Sequence, residues 1–133
     1  MIVDSCALLA ILKREPEYPQ MRDALATATS AKMSAASYVE SGIVTDRYRN
    51  ALLSQRLDEV IAEFEIAIEP LTPEQARIAR QAYRIYGKGS GHPANLNFGD
   101  CFSYALARDK REPILFKGDG FIHTDLRPAL EAR

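Results

Sequence analysis

The sequence predicts an α/β domain whose central sheet is mainly parallel and covered on both faces. Short apolar runs alternate with helical patterns along the chain, helix-start signals follow several of those runs, and 133 residues suit one domain. No repeat, low-complexity tract or linker interrupts the pattern, so residues 1–133 read as one unit.

Met1 to Val3 form a short apolar strand, and Asp4-Ser5 opens a helix through Ala7, Leu8, Leu9, Ile11 and Leu12. Pro16 suits the first turn of a second helix reaching about Ala28, with Tyr18, Met21 and Leu25 on one face. Ala31 to Ser34 is a short buried strand. Ser37-Tyr38-Val39-Glu40 fits a capping box that starts a helix to about Tyr48, with Val39, Ile43 and Val44 as its buried stripe. Asn50 to Phe64 repeats apolar residues at helical spacing, and Ile66 to Leu71 alternates as a strand does. Thr72-Pro73-Glu74-Gln75 combines an N-cap threonine with proline at the first helical position, predicting a helix to about Tyr86. Gly87 to Pro93 is a loop by composition. Gly99-Asp100 begins the next helix, and Pro113 precedes the apolar strand Ile114 to Phe116.

Composition excludes several classes. With 47% apolar and 26% charged residues the chain is neither disordered nor fibrous. Seventeen Lys plus Arg against 18 Asp plus Glu, a net charge of -1, exclude nucleic-acid binding through bulk positive charge. No apolar run approaches the ~20 residues of a membrane span, and the N-terminus lacks the pattern of a signal peptide, so a cytoplasmic protein without membrane contact is expected. Cys6 and Cys101 lack paired zinc or redox spacing and read as small core-facing groups.

In open α/β sheets, sites gather where strands end. Asp4 follows the first strand and Asp119 the last, while Glu40 and Asp100 occupy the first turns of helices that follow strands or loops. Carboxylates brought together repel unless a cation neutralises them, and all-oxygen ligands select hard ions such as Mg²⁺ or Mn²⁺, which suit phosphodiester chemistry. Each acid also has a purely structural use: Asp4 and Asp100 as N-caps, Glu40 within a capping box, Asp119 in a tight turn. Spacing alone leaves both readings open. The Gly87 to Gly91 run lacks the order of a phosphate-binding loop and reads as surface, and His92 and His123 have no nucleophile partner at a recognised spacing. Arg77, Arg80, Arg84 and Lys88 recur along one helical side, and Lys110, Arg111 and Lys117 fall near the Asp100 and Asp119 segments. Such rows are solvated faces or, beside an acidic metal site, phosphate contacts.

Four segments decide between these readings: Met1 to Ala7, Ser37 to Glu40, His92 to Ala107, and Leu115 to Phe121 with Thr124-Asp125. In order, spacing and overall length they resemble the VapC toxins of the PIN-domain ribonucleases. The resemblance implies a three-layer α/β/α domain that cleaves RNA with a divalent metal. It implies that Asp4 and Asp100 are metal ligands, Mg²⁺ or Mn²⁺, and that Glu40 and a fourth acid complete the catalytic set. Relatives often place that fourth acid directly before the phenylalanine, where this chain has Gly120, so Asp119 takes the role, with Asp125 next in line. A cognate antitoxin and a homodimer are further implied, with apolar stripes from Leu8, Leu12, Val39, Ile43 and the Leu53 to Phe64 run available for them beyond the core. A PIN nuclease for RNA processing, or a non-catalytic interaction module of the same fold, is the alternative.

Overall fold

In the computed structural model, which describes residues 1–130, four parallel strands are flanked by six α-helices. The order is β1 (Ile2–Val3), α1 (Ser5–Leu12), α2 (Tyr18–Thr27), β2 (Ala31–Ser34), α3 (Ala35–Arg47), α4 (Ala51–Glu63), β3 (Ile66–Glu69), α5 (Pro73–Tyr86), α6 (Asp100–Lys110) and β4 (Ile114–Leu115), with a 3₁₀ turn at Phe121–His123. In space the strands run β3-β2-β1-β4, every pair parallel, as the alternation of strand and helix requires.

Side chains on β1 and β4 alternate between two cores. Val3 and Leu115 face a cluster with Leu8, Ile11, Met21, Leu25, Met33, Leu57 and Val60, which binds α1, α2 and α4 to one side of the sheet. Ile2 and Ile114 face the other way, toward Ala79, Ala82, Leu96, Leu106 and Phe121, where α5 and α6 pack. The expected three layers are thus formed. The β1–α1 and β2–α3 connections all but vanish: Asp4 alone separates the first pair, and Ser34 both ends β2 and caps α3. A side chain at either junction is therefore fixed by the sheet itself.

Two local expectations need correction. Pro16 lies before α2, which starts at Tyr18 with Pro19 in its first turn. The α3 start falls at Ala35, because the Ser34 hydroxyl accepts the Ala36 N–H at 3.3 Å; Ser37 and Glu40 are thus interior to the helix, not a capping box. Its buried stripe is also not Val39, Ile43 and Val44. Ser37, Ser41 and Thr45, spaced i, i+4, i+8, face inward, whereas Val39 and Ile43 are 55% and 49% exposed. Hydroxyls can occupy this face because they find partners there: Ser37 meets the Ser103 hydroxyl at 3.1 Å, and Ser41 donates to the Ser37 carbonyl at 2.8 Å. Small side chains keep α3 close to α1 and α6, which brings Glu40 to the helices that carry the other acids.

Candidate active site

Asp4 is the N-cap of α1 and almost fully buried, 1% exposed. Its Oδ2 accepts the Cys6 N–H at 3.1 Å, which is the capping role; its Oδ1 is buried with no hydrogen-bond partner. A capping serine or asparagine would meet the helix's need without that orphaned, charged oxygen. Beside it, the Ser5 hydroxyl donates to Glu40 Oε1 at 2.6 Å, so Ser5 orients the glutamate rather than Asp4. Glu40 is held from below as well: a Cβ on Gly99 would lie 2.0 Å from Glu40 Oε2, so only glycine lets this carboxylate lie against the start of α6.

Asp100 opens α6 inside a reciprocal pair. The Asn97 N–H donates to Asp100 Oδ2 at 2.9 Å, and the Asp100 N–H donates to Asn97 Oδ1 at 2.8 Å. That is the geometry of a capping box one turn ahead of the helix, and the Asn-x-x-Asp spacing was its unread signal. Burial pushes the Asp100 carboxyl up to about 6; the Asn97 N–H opposes this, the negative charges of Asp4 and Glu40 add to it, and the positive charge of Lys88 again opposes it. Asp4 and Glu40, both far from it in sequence, thus act on Asp100 across a common space.

The remaining acids sit elsewhere. Asp119 is exposed on the loop after β4 and makes no hydrogen bond or ion pair among the described residues. Its loop is nevertheless tied to the first strand's exit, because the Lys117 N–H donates to Cys6 Sγ at 3.1 Å. Gly120 is in close packing: an added Cβ would come within 3.2 Å of the Ala94 carbonyl oxygen. Asp125 is committed to the other end of α6, where it accepts the Tyr104 hydroxyl at 2.6 Å and pairs with Arg108. Arg108 is eight residues and so about 12 Å along that helix from Asp100. Of the basic residues, Lys110 and Arg111 also belong to that far end, and Lys117 pairs with Glu15. Both cysteines are free; Cys101 is buried, whereas Cys6 is only partly so and serves as the link to Lys117. His92 turns its Nδ1 to the Ala94 N–H at 3.1 Å.

The model of the PIN domain family matches residues 1–126. The chain belongs to the PIN-domain family. Within it, the chain is 55% identical over 133 residues, all of both chains, to the ribonuclease VapC28 of Mycobacterium tuberculosis. Among solved structures its fold resembles that of Mycobacterium tuberculosis VapC20, described as a sarcin-ricin loop cleaving toxin, with a TM-score of 0.73, 14% identity and coverage of 94% and 95% of the two chains. A toxin-antitoxin complex from Klebsiella pneumoniae gives a TM-score of 0.68 at 16% identity, covering 90% of this chain and 88% of that one.

VapC ribonucleases of the PIN-domain family generally work with a divalent metal. The donors of this PIN domain fit such an ion: they are carboxylate oxygens, Asp4 Oδ1 is buried and unpaired, and Asp100 is destabilised as an anion by burial and then by the acids beside it. As the side chains stand, no three His, Cys, Asp or Glu among the described residues are close enough to share one ion. Of these acids, Asp4 and Asp100 carry the features that suit an ion, while Glu40 Oε1 accepts from Ser5.

Proposed function

We propose that this chain is the toxin of a type II toxin-antitoxin pair, acting in the cytoplasm as a metal-dependent endoribonuclease. The observation that carries the reading is the convergence of Asp4, Glu40 and Asp100 where β1 ends and α6 begins, around a buried carboxylate oxygen without a partner. The relatives named as ribonucleases support the activity, and the solved toxin-antitoxin complex supports the partner.

In this reading Asp4 and Asp100 hold Mg²⁺, or Mn²⁺ in its place, and Glu40 and Asp119 complete the catalytic set. A divalent ion there supplies Lewis acidity, lowering the pKa of a water and offsetting charge on phosphoryl oxygens. The chain's own groups do the rest. Glu40, steadied through Oε1 by Ser5, offers Oε2 to take the proton of the attacking water. Lys88, whose charge already reaches Asp100, meets a phosphate oxygen of the RNA. Water adds in line at phosphorus, the ester P–O bond breaks, and its oxygen leaves with the proton that Glu40 took from the water. Val39, Ile43 and Leu52, exposed on α3 and α4, remain for the antitoxin or a second copy, whereas Leu8, Leu12, Leu57 and Val60 are core.

The test is cleavage of a structured RNA by the purified chain with Mg²⁺ or Mn²⁺, with and without EDTA. Cleavage that EDTA abolishes and added metal restores is expected, and Asp4→Asn and Asp100→Asn should each lose roughly 10²-fold or more while staying folded. Inactivity with every metal would favour a non-catalytic PIN-fold interaction module instead.

A further inference from the structure

The residue two places before Asp100 is a misfit for its place on the surface. Phe98 is 76% exposed, although the chain around it is well ordered by the Asn97–Asp100 hydrogen bonds. Its ring stands edge-on to Phe102, centroids 4.8 Å apart at 88°, which leaves a face of Phe98 toward solvent. Together with Tyr83, itself 42% exposed, and with Arg80 and Arg84, these rings line a groove of about 460 Å³ between α5 and α6. That volume is in the range of sites that take small ligands. Arg80 and Arg84 make no ion pair among the described residues, so the groove has two unspent positive charges beside its aromatic surface. Two residues of chain, which span at most about 7 Å, separate Phe98 from Asp100.

An exposed aromatic face and two guanidinium groups match the chemistry of single-stranded RNA, whose bases stack and whose phosphates pair with arginine, and Asp100 lies one short step away. A second copy of the chain fits worse. A two-fold contact centred on this groove would bring Arg80 and Arg84 against the same residues of the copy, and like charges facing each other cost affinity. We therefore propose that the α5–α6 groove is a base-stacking subsite, in which Phe98 takes a nucleobase next to the scissile phosphate while Arg80 and Arg84 hold the adjoining backbone. Phe98 would thus be a specificity-determining residue. The proposal rests on the nuclease reading above.

The test compares wild type, Phe98→Ala, Phe98→Trp and Phe98→Leu on a single-stranded RNA oligonucleotide in Mn²⁺, with sedimentation velocity on the same samples. Loss of one stacked base should raise KM roughly tenfold in Phe98→Ala with kcat little changed, and Phe98→Trp should restore it while Phe98→Leu does not. Removing the base next to the cut, by an abasic nucleotide, should weaken wild type and leave Phe98→Ala unaffected. An unaltered KM in Phe98→Ala, equal rescue by leucine and tryptophan, or a shift of Phe98→Ala from dimer to monomer overturns the subsite; the last result would give the groove to a second copy. Wild type that cleaves no RNA with any metal overturns the nuclease reading as well, so the two failures are told apart by the wild-type control.

Discussion

Ser5 and Asp4 show how a single position can serve fold and chemistry together. Asp4 caps α1 with one oxygen and leaves the other buried and unpaired, and Ser5 spends its hydroxyl on Glu40, 35 residues away. Ser5→Ala should lower RNA cleavage roughly tenfold without unfolding the protein, because the outer partner that aims Glu40 is lost, and Ser5→Thr should recover most of it. Unchanged initial rates in Ser5→Ala would remove Ser5 from the site. The thiols next to the acids are expected to be inert. Burial, then the charge and hydrogen bond of Asp4, push the Cys6 thiol far up, and burial with the Asp100 charge raises Cys101 to about 11. At pH 8 only roughly one Cys101 in a thousand is thiolate, so a thiol reagent should label the folded protein far more slowly than the denatured one.

At the scale of elements, the site is made by where helices begin. Gly99 has ordinary helical angles, φ -64 and ψ -36, so Gly99→Ala adds no backbone strain and acts only through its new methyl group. That methyl would lie 2.0 Å from Glu40 Oε2, so the carboxylate must swing off Ser5. Cleavage should fall roughly 10- to 100-fold with the circular dichroism spectrum unchanged, and a fully active Gly99→Ala would contradict the placement of Glu40. Strand-exit logic placed Asp4 at the end of β1, and the turn signal at Gly99 placed Asp100 at the start of α6, positions the structure reproduces. The helix α3 shows where pattern reading stops: hydrophobicity selects Val39 and Ile43 for the interior, but Ser37 and Ser41 are buried because each finds a hydrogen bond, which no count of apolar residues reveals. The sequence ranks Asp119 ahead of Asp125 only by its nearness to Phe121. The pairing of Asp125 with Tyr104 and Arg108 adds a reason that no sequence pattern carries.

For the whole molecule, the sheet's opposite end carries a set of charge pairs. Glu112, just ahead of β4, accepts from the N-terminal ammonium at 2.6 Å and pairs with Lys32 of β2, thereby joining the ends of β1, β2 and β4. Partial burial opposes its ionisation, yet the hydrogen bonds and charges of Lys32 and the N-terminus outweigh this and hold its carboxyl below the usual carboxylate range. A depressed folded pKa gives stability that is complete above the unfolded value, about 4.3, and is lost as pH falls through the folded value. Glu112→Gln should therefore cost roughly 1 kcal/mol at pH 7 and little at pH 3, read as the difference in urea midpoints; an equal gap at both pH values would contradict it.

The near-balance of 17 basic and 18 acidic residues likewise takes its meaning from the whole. RNA meets an apo surface made repulsive by Asp4, Glu40 and Asp100, so binding should depend on the ion that offsets them. Calorimetric titration of Mn²⁺ into the purified protein tests this claim most directly. Saturable binding that Asp4→Asn and Asp100→Asn each weaken at least about tenfold is the result expected. Binding unchanged in both variants would mean that these carboxylates hold no catalytic metal.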